Sequence, residues 1–179
     1  VLNPAYAGWR DDLKICHETF GMKGLRLYPR WHNYKLSDPE AVELVNAAAE
    51  RNMLVTIPMR VEDPRQRSWL VEVPDLTPPE VEPILRACPR AKFALLNGNG
   101  FGPLGRKDNG LPQNYWIDVG RTSAVMGNEL GRLIATLGAD RILLGTGMPL
   151  HYPDPALLKI EVQDISEADK AKIRSGNAA

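Results

Sequence analysis

Five short apolar runs recur along the chain at intervals that a helix can fill, and this alternation restricts the fold more than any other feature. The runs are Gly24–Pro29, Leu54–Arg60, Lys92–Asn97, Tyr115–Val119 and Arg141–Gly145. Helical patterns lie between them. In DPEAVELVNAAAERN, Asp38 stands as an N-cap, Pro39 takes the first helical position, and Val42, Val45, Ala48 and Ala49 share a face. Thr77 and Glu80 have the spacing of a capping box. Met126, Leu130, Leu133, Ile134 and Leu137 recur at helical spacing before a stop at Gly138. Ser166 opens a further helix, with Asp169 three residues on. Alternating strands and helices imply parallel strands joined by crossover helices.

Two architectures fit that rhythm: an open doubly wound sheet and a (β/α)8 barrel. The first should carry a G-x-G-x-x-G turn between a strand and a helix. The nearest stretch, NGNGFGPLG from Asn97 to Gly105, has the wrong spacing, contains a proline and opens no helix. Strand parity favours the barrel. Thr56, Pro58 and Arg60 share a face, as do Phe93, Leu95 and Asn97, and Trp116 and Asp118. Each set ends in a polar group near the strand's C-terminal end, where barrel sites open. A full barrel takes about 250 residues and eight strands. The expectation is therefore a TIM-type (β/α)8 barrel in the form of a truncated C-terminal portion. It would hold about five to six strands in one partial domain over residues 1–179.

Lys and Arg together number 22, equal to Asp and Glu, so the net charge is zero. That balance argues against a nucleic-acid partner or an anionic membrane surface. No apolar run approaches the length of a membrane span. Cys16 and Cys88 are isolated and lack metal-ligand spacing, which points to two thiols in a reducing, cytoplasmic setting. The oligomeric state is not encoded in any pattern of this sequence.

The stretches KGLRLYPRWHNYKLSDP, NYWIDVGR, LGADRILLGTGMPL and ISEADKAKIRSGNAA resemble the amidohydrolase-related family of TIM barrels, over nearly the whole chain. That family contains metal-dependent hydrolases and some non-oxidative decarboxylases. The resemblance implies a divalent metal held at the strand ends, with histidines on the fifth and sixth barrel strands and an aspartate on the eighth. An H-x-H pair on the first strand would lie upstream of Val1. The matching positions here are Pro58, Asn97 and Gly147. Proline and glycine offer no side-chain ligand, and asparagine offers only a neutral oxygen, a poor substitute for imidazole at zinc. The expectation is a site without the family's catalytic metal and without another cofactor.

Candidate site residues follow from position at the strand ends. Arg60 can grip a substrate carboxylate with both edges of its fork, or pair with Glu62 or Asp63 to pin a loop. His32, between Trp31 and Tyr34, and His151, after the GTGMP turn, are candidate acids or bases near neutral pH. Asp118 is a candidate base, or the acceptor that orients Arg60 or Arg26. Tyr28 and Asn97 would add hydrogen bonds to a substrate. Three readings remain open: a hydrolase or lyase acting on a small carboxylated molecule, a metal-free pseudoenzyme or binding barrel, and a partial barrel without activity of its own.

Overall fold

The computed structural model describes residues 1–63, 65, 68–70, 72–106 and 108–179. Among the described residues, five strands form the sheet: β1 (Gly24–Arg26), β2 (Leu54–Pro58), β3 (Lys92–Leu96), β4 (Tyr115–Asp118) and β5 (Ile142–Leu143). Their order is β1-β2-β3-β4-β5, and every neighbouring pair is parallel. A doubly wound sheet reverses direction at a switch point. Sequential order without reversal is that of a barrel wall, and the expected (β/α)8-type architecture is present here as five strands of that circuit.

Local chemistry explains where the helices begin and end. Helix α1 spans Trp9–Glu18, α2 Pro29–His32, α3 Pro39–Glu50 and α4 Pro78–Ala87. Helix α5 spans Glu129–Leu137, α6 Asp154–Glu161 and α7 Glu167–Arg174. At α4 the Glu80 carboxylate accepts the Thr77 N–H at 2.9 Å, which satisfies an otherwise orphaned donor. At α7 the Ser166 hydroxyl accepts the Asp169 N–H at 3.1 Å. Asp38 precedes α3 but turns back to accept the Lys35 N–H at 2.8 Å, so it closes a turn rather than capping the helix. Met126 does not belong to α5, contrary to its spacing. Gly127 and Asn128 have positive φ (70° and 40°), the helix starts at Glu129, and Met126 is 87% exposed. Asn128 supplies the cap, its side chain accepting from Gly131 N–H at 3.1 Å.

Register fixes which side chains share a face. Leu25, Val55, Phe93 and Tyr115 align across β1 to β4, and Ile57, Leu95, Ile117 and Ile142 align across β2 to β5. All eight are buried, in one cluster with Leu44 and Val45 of α3, Ile84 and Leu85 of α4, and Leu130 and Leu133 of α5. Burying each large side chain is worth roughly 1.5–3 kcal/mol, so this face carries the stability. The opposite, barrel-interior face presents Arg26, Thr56, Ala94 and Trp116 in one row, with Pro58 beside Leu96 and Asp118 beside Leu143 beyond it. This corrects the parity of β3: Ala94 and Leu96 face the interior, while Phe93 and Leu95 face the helices. The strand is buried on both sides at Phe93, Ala94 and Leu95, so alternation leaves no trace there.

No helix among the described residues is long and apolar enough to cross a membrane.

Candidate functional site

The C-terminal ends of β2, β3, β4 and β5, with the start of α6, enclose a cleft of about 690 Å3. A parallel sheet brings all its strand ends to one side, and the loops that leave them supply the wall. Arg60, Glu62 and Asp63 come from the segment after β2, Asn97 from the end of β3, and Gly120 and Arg121 from the end of β4. Gly145, Gly147 and His151 follow β5, and Lys159 reaches in from α6.

One wall is organised by Asp75. Its carboxylate accepts Arg60 Nε at 3.0 and 2.8 Å and Arg60 Nη2 at 2.6 Å. Arg121 Nη1 approaches the same carboxylate at 3.4 Å and donates to the Asn97 carbonyl at 3.3 Å. The side chains of Arg60, Asp75 and Arg121 are only 20%, 30% and 25% exposed. Asp75 thus takes the fork of Arg60 that the sequence suggested for a substrate. Asp63 is claimed by Arg65, whose hydrogen bonds hold its carboxyl below the usual carboxylate range.

The other wall is built around Asp118, which is 7% exposed. Asp118 does not line the cleft; it lies beneath Gly120 and Gly145, which do. Its Oδ1 accepts the Gly120 N–H. A Cβ added at Gly145 would overlap the Asp118 carboxyl group, and one at Gly120 would lie 2.6 Å from Asp118 Oδ1. A side chain at either position would collide with the carboxylate, so glycine suits both. Burial pushes the Asp118 carboxyl pKa up, against opposing contributions from the Gly120 N–H and Lys159. Lys159 Nζ donates to the carbonyls of Val119 at 3.1 Å and Gly120 at 2.7 Å. Burial lowers its pKa, and the Asp118 charge partly offsets that.

Of the residues singled out from sequence, Arg60, Glu62, Asp63, Asn97 and His151 line one cleft, and Asp118 sits just beneath it. Tyr28 and His32 do not line it. They lie after β1 and pack beside Tyr34, with ring centroids 6.4 Å apart in both the Tyr28–His32 and His32–Tyr34 pairs. Burial lowers the His32 pKa. Sequence reasoning missed Asp75, Arg121 and Lys159. Arg121 carried a signal, since it follows the strand end in DVGR. Lys159 reads as an ordinary helix-surface lysine, and Asp75 lies in a stretch without period.

The amidohydrolase family model matches residues 4–179. The chain belongs to the amidohydrolase family. Among solved structures, this amidohydrolase chain resembles 2,6-dihydroxybenzoate decarboxylase complexed with 2,6-dihydroxybenzoate (19% identity, TM-score 0.68, covering 94% of this chain and 64% of that one). It also resembles 5-carboxyvanillate decarboxylase from Sphingomonas paucimobilis (19%, TM-score 0.71, 99% and 62%). A third is dihydroxybenzoic acid decarboxylase from Polaromonas sp. JS666 with bound manganese and 2-nitroresorcinol (19%, TM-score 0.64, 94% and 63%). At these identities the likeness is one of fold. The chain spans 62–64% of the length of these structures. No curated protein matches it.

The strand ends offer few donors for the family's metal. Pro58 ends β2 and is buried, with no donor atom in its side chain. Asn97 follows β3 with a φ of 54° and offers a neutral amide. Gly147 has a φ of 71°, and a Cβ there would lie 2.7 Å from His151 Cδ2. The imidazole therefore covers the space a side chain at 147 would enter. Among the described residues, no group of three or more His, Cys, Asp or Glu side chains could hold a metal ion. The donor set this chain presents at these positions does not fit the metal.

Proposed function

We propose that this chain forms part of a hydrolase or lyase site for a small carboxylated molecule, working without a divalent metal bound at its strand ends. The observation that carries the reading is the cleft itself. It places Arg60, Arg121, Lys159 and His151 around one volume at the C-terminal ends of the strands. Cations there suit an anionic ligand, and a volume of about 690 Å3 suits a small molecule. The reading draws further support from the fold neighbours, which are decarboxylases of aromatic carboxylic acids.

In this reading His151 is the residue that exchanges a proton with the substrate, since it is the histidine that lines the cleft and an imidazole can both give and take a proton. Asp118 acts as a positioning residue: it holds Gly120 and, through that residue's carbonyl, the ammonium of Lys159. Arg60 and Arg121 shape the opposite wall. Two unpaired cysteines, Cys16 and Cys88, fit operation in a reducing compartment such as the cytoplasm.

A metal-free pseudoenzyme that binds without turnover is the second reading, favoured by the ligand-poor positions Pro58, Asn97 and Gly147. One experiment addresses both. Full-length protein, dialysed gently, is analysed for zinc, manganese and iron and assayed against aromatic carboxylic acids. We expect well under one equivalent of metal. Turnover unaffected by a chelator supports the enzyme, and binding without turnover supports the pseudoenzyme. One stoichiometric metal ion, with activity lost to chelation and restored by metal, would refute both metal-free readings.

A further inference from the structure

We propose that Lys159 is the cation that receives the substrate's carboxylate in this cleft. The inference rests on the carboxylated-substrate reading above and names the residue that would make the contact.

The argument starts from how each cation in the cleft is partnered. Arg60 presents Nε and Nη2 to Asp75, and Arg121 shares that carboxylate. Arg65 is paired with Asp63. Lys159 differs. Its ammonium is held by two backbone carbonyls, Val119 at 3.1 Å and Gly120 at 2.7 Å, and makes no ion pair within 4 Å among the described residues. Carbonyl dipoles orient an ammonium without cancelling its charge. An ammonium has three donors. Two are taken here, and the third is available on a residue that lines the cleft.

The buried Asp118 reinforces this. Asp118 lies beneath Gly120 and Gly145, close enough to favour the charged lysine, yet those two glycines separate it from the cleft. The carboxylate favours the ammonium's charge without itself lining the cleft that would hold the ligand. Lys159 also lines the same cleft as Gly145 and Gly147, which follow the strand where the family resemblance expects a metal ligand and this chain offers no donor. A fixed ammonium there supplies positive charge with one hydrogen bond to give.

The test is calorimetric titration of the full-length protein with two probes. One is 2,6-dihydroxybenzoate; the other is resorcinol, the same dihydroxylated ring without the carboxylate. Wild type should bind the first more tightly. Lys159→Met should weaken 2,6-dihydroxybenzoate about tenfold or more, the scale of a charged hydrogen bond, and leave resorcinol within about twofold. Unchanged affinity for 2,6-dihydroxybenzoate in a folded Lys159→Met protein would overturn the proposal while leaving the carboxylate reading intact. If wild type binds neither probe, or binds both equally, the carboxylate reading fails and the proposal with it. Should Lys159→Met not fold, reductive methylation of wild type decides. Protection of Lys159 by 2,6-dihydroxybenzoate but not by resorcinol supports the assignment, and equal labelling with and without the carboxylate overturns it.

Discussion

On one wall of the cleft, two arginines converge on a single carboxylate, Asp75. On the other, a lysine is held by two carbonyls above a buried aspartate. Both arrangements place cations at the strand ends, but they manage the charge differently. The Asp75 wall pairs charges directly, so its fork–fork geometry stiffens the segment after β2 and leaves less field for a ligand. The Lys159 wall separates its charges with glycine backbone, so the position is fixed while the ammonium stays unneutralised. Direct pairing makes scaffold; carbonyl holding makes a receptor. Substitutions at three positions probe that contrast.

The largest effect is expected at Gly145. A Cβ there would overlap the carboxyl group of the buried Asp118, so the strand end or that side chain must shift. Gly145→Ala should lower stability by about 3 kcal/mol, as overpacking does in a filled interior. Adding Asp118→Ala should recover part of that loss. Urea unfolding of the two variants measures both, and an unchanged Gly145→Ala midpoint would mean the wall is looser than described.

Asp75→Asn comes next. It removes the charge both arginines face and should cost about 1–2 kcal/mol, since the pairs are mostly shielded from solvent. It should also tighten binding of simple anions such as sulfate, by turning a paired wall into an unpaired one. A stable variant with no gain in anion binding would show that Arg60 and Arg121 are scaffold even without their partner.

The smallest effect is a pH dependence at Asp118. Its carboxyl pKa is raised by burial, so the folded state holds that proton more tightly than the unfolded chain. The stabilisation is complete below the unfolded value of about 4 and is lost as pH rises through the higher folded value. Asp118→Asn keeps an acceptor for the Gly120 N–H and does not titrate. The melting temperature of wild type minus that of Asp118→Asn should therefore fall between pH 3.5 and 7. A difference that rises over this range would reverse the assignment.

The scaffold was more legible in the sequence than the site, and the reason is locality. Strand positions and the Thr77, Ser166 and Gly138 helix boundaries depend on residues a few places apart; the helix boundaries recur, and so do the five strands, though the first stops at Arg26, where Pro29 opens a helix, and the last keeps only Ile142–Leu143. The parity of β3 failed because apolar residues cover both its faces. Helix α5 was extended too far because Met126 fits the period, while the left-handed Gly127 and Asn128 interrupt it. The Arg60–Asp75 pair bridges 15 positions and Lys159–Gly120 bridges 39, with no periodicity to announce either. Only the sheet's sequential order brings those residues to one end.

The atoms that hold Lys159 belong to the main chain, which shapes how substitutions at two adjacent positions would be tolerated. Val119 presents a carbonyl that any buried apolar residue of similar volume would present equally well. Gly120 presents the same kind of atom, yet a side chain there would crowd Asp118 Oδ1 at 2.6 Å and Asn97 Oδ1 at 2.9 Å. A scan of every substitution should find tolerance at 119 among apolar residues and intolerance at 120. The two positions serve one ammonium, and the contrast between them comes from crowding rather than from the bond they share.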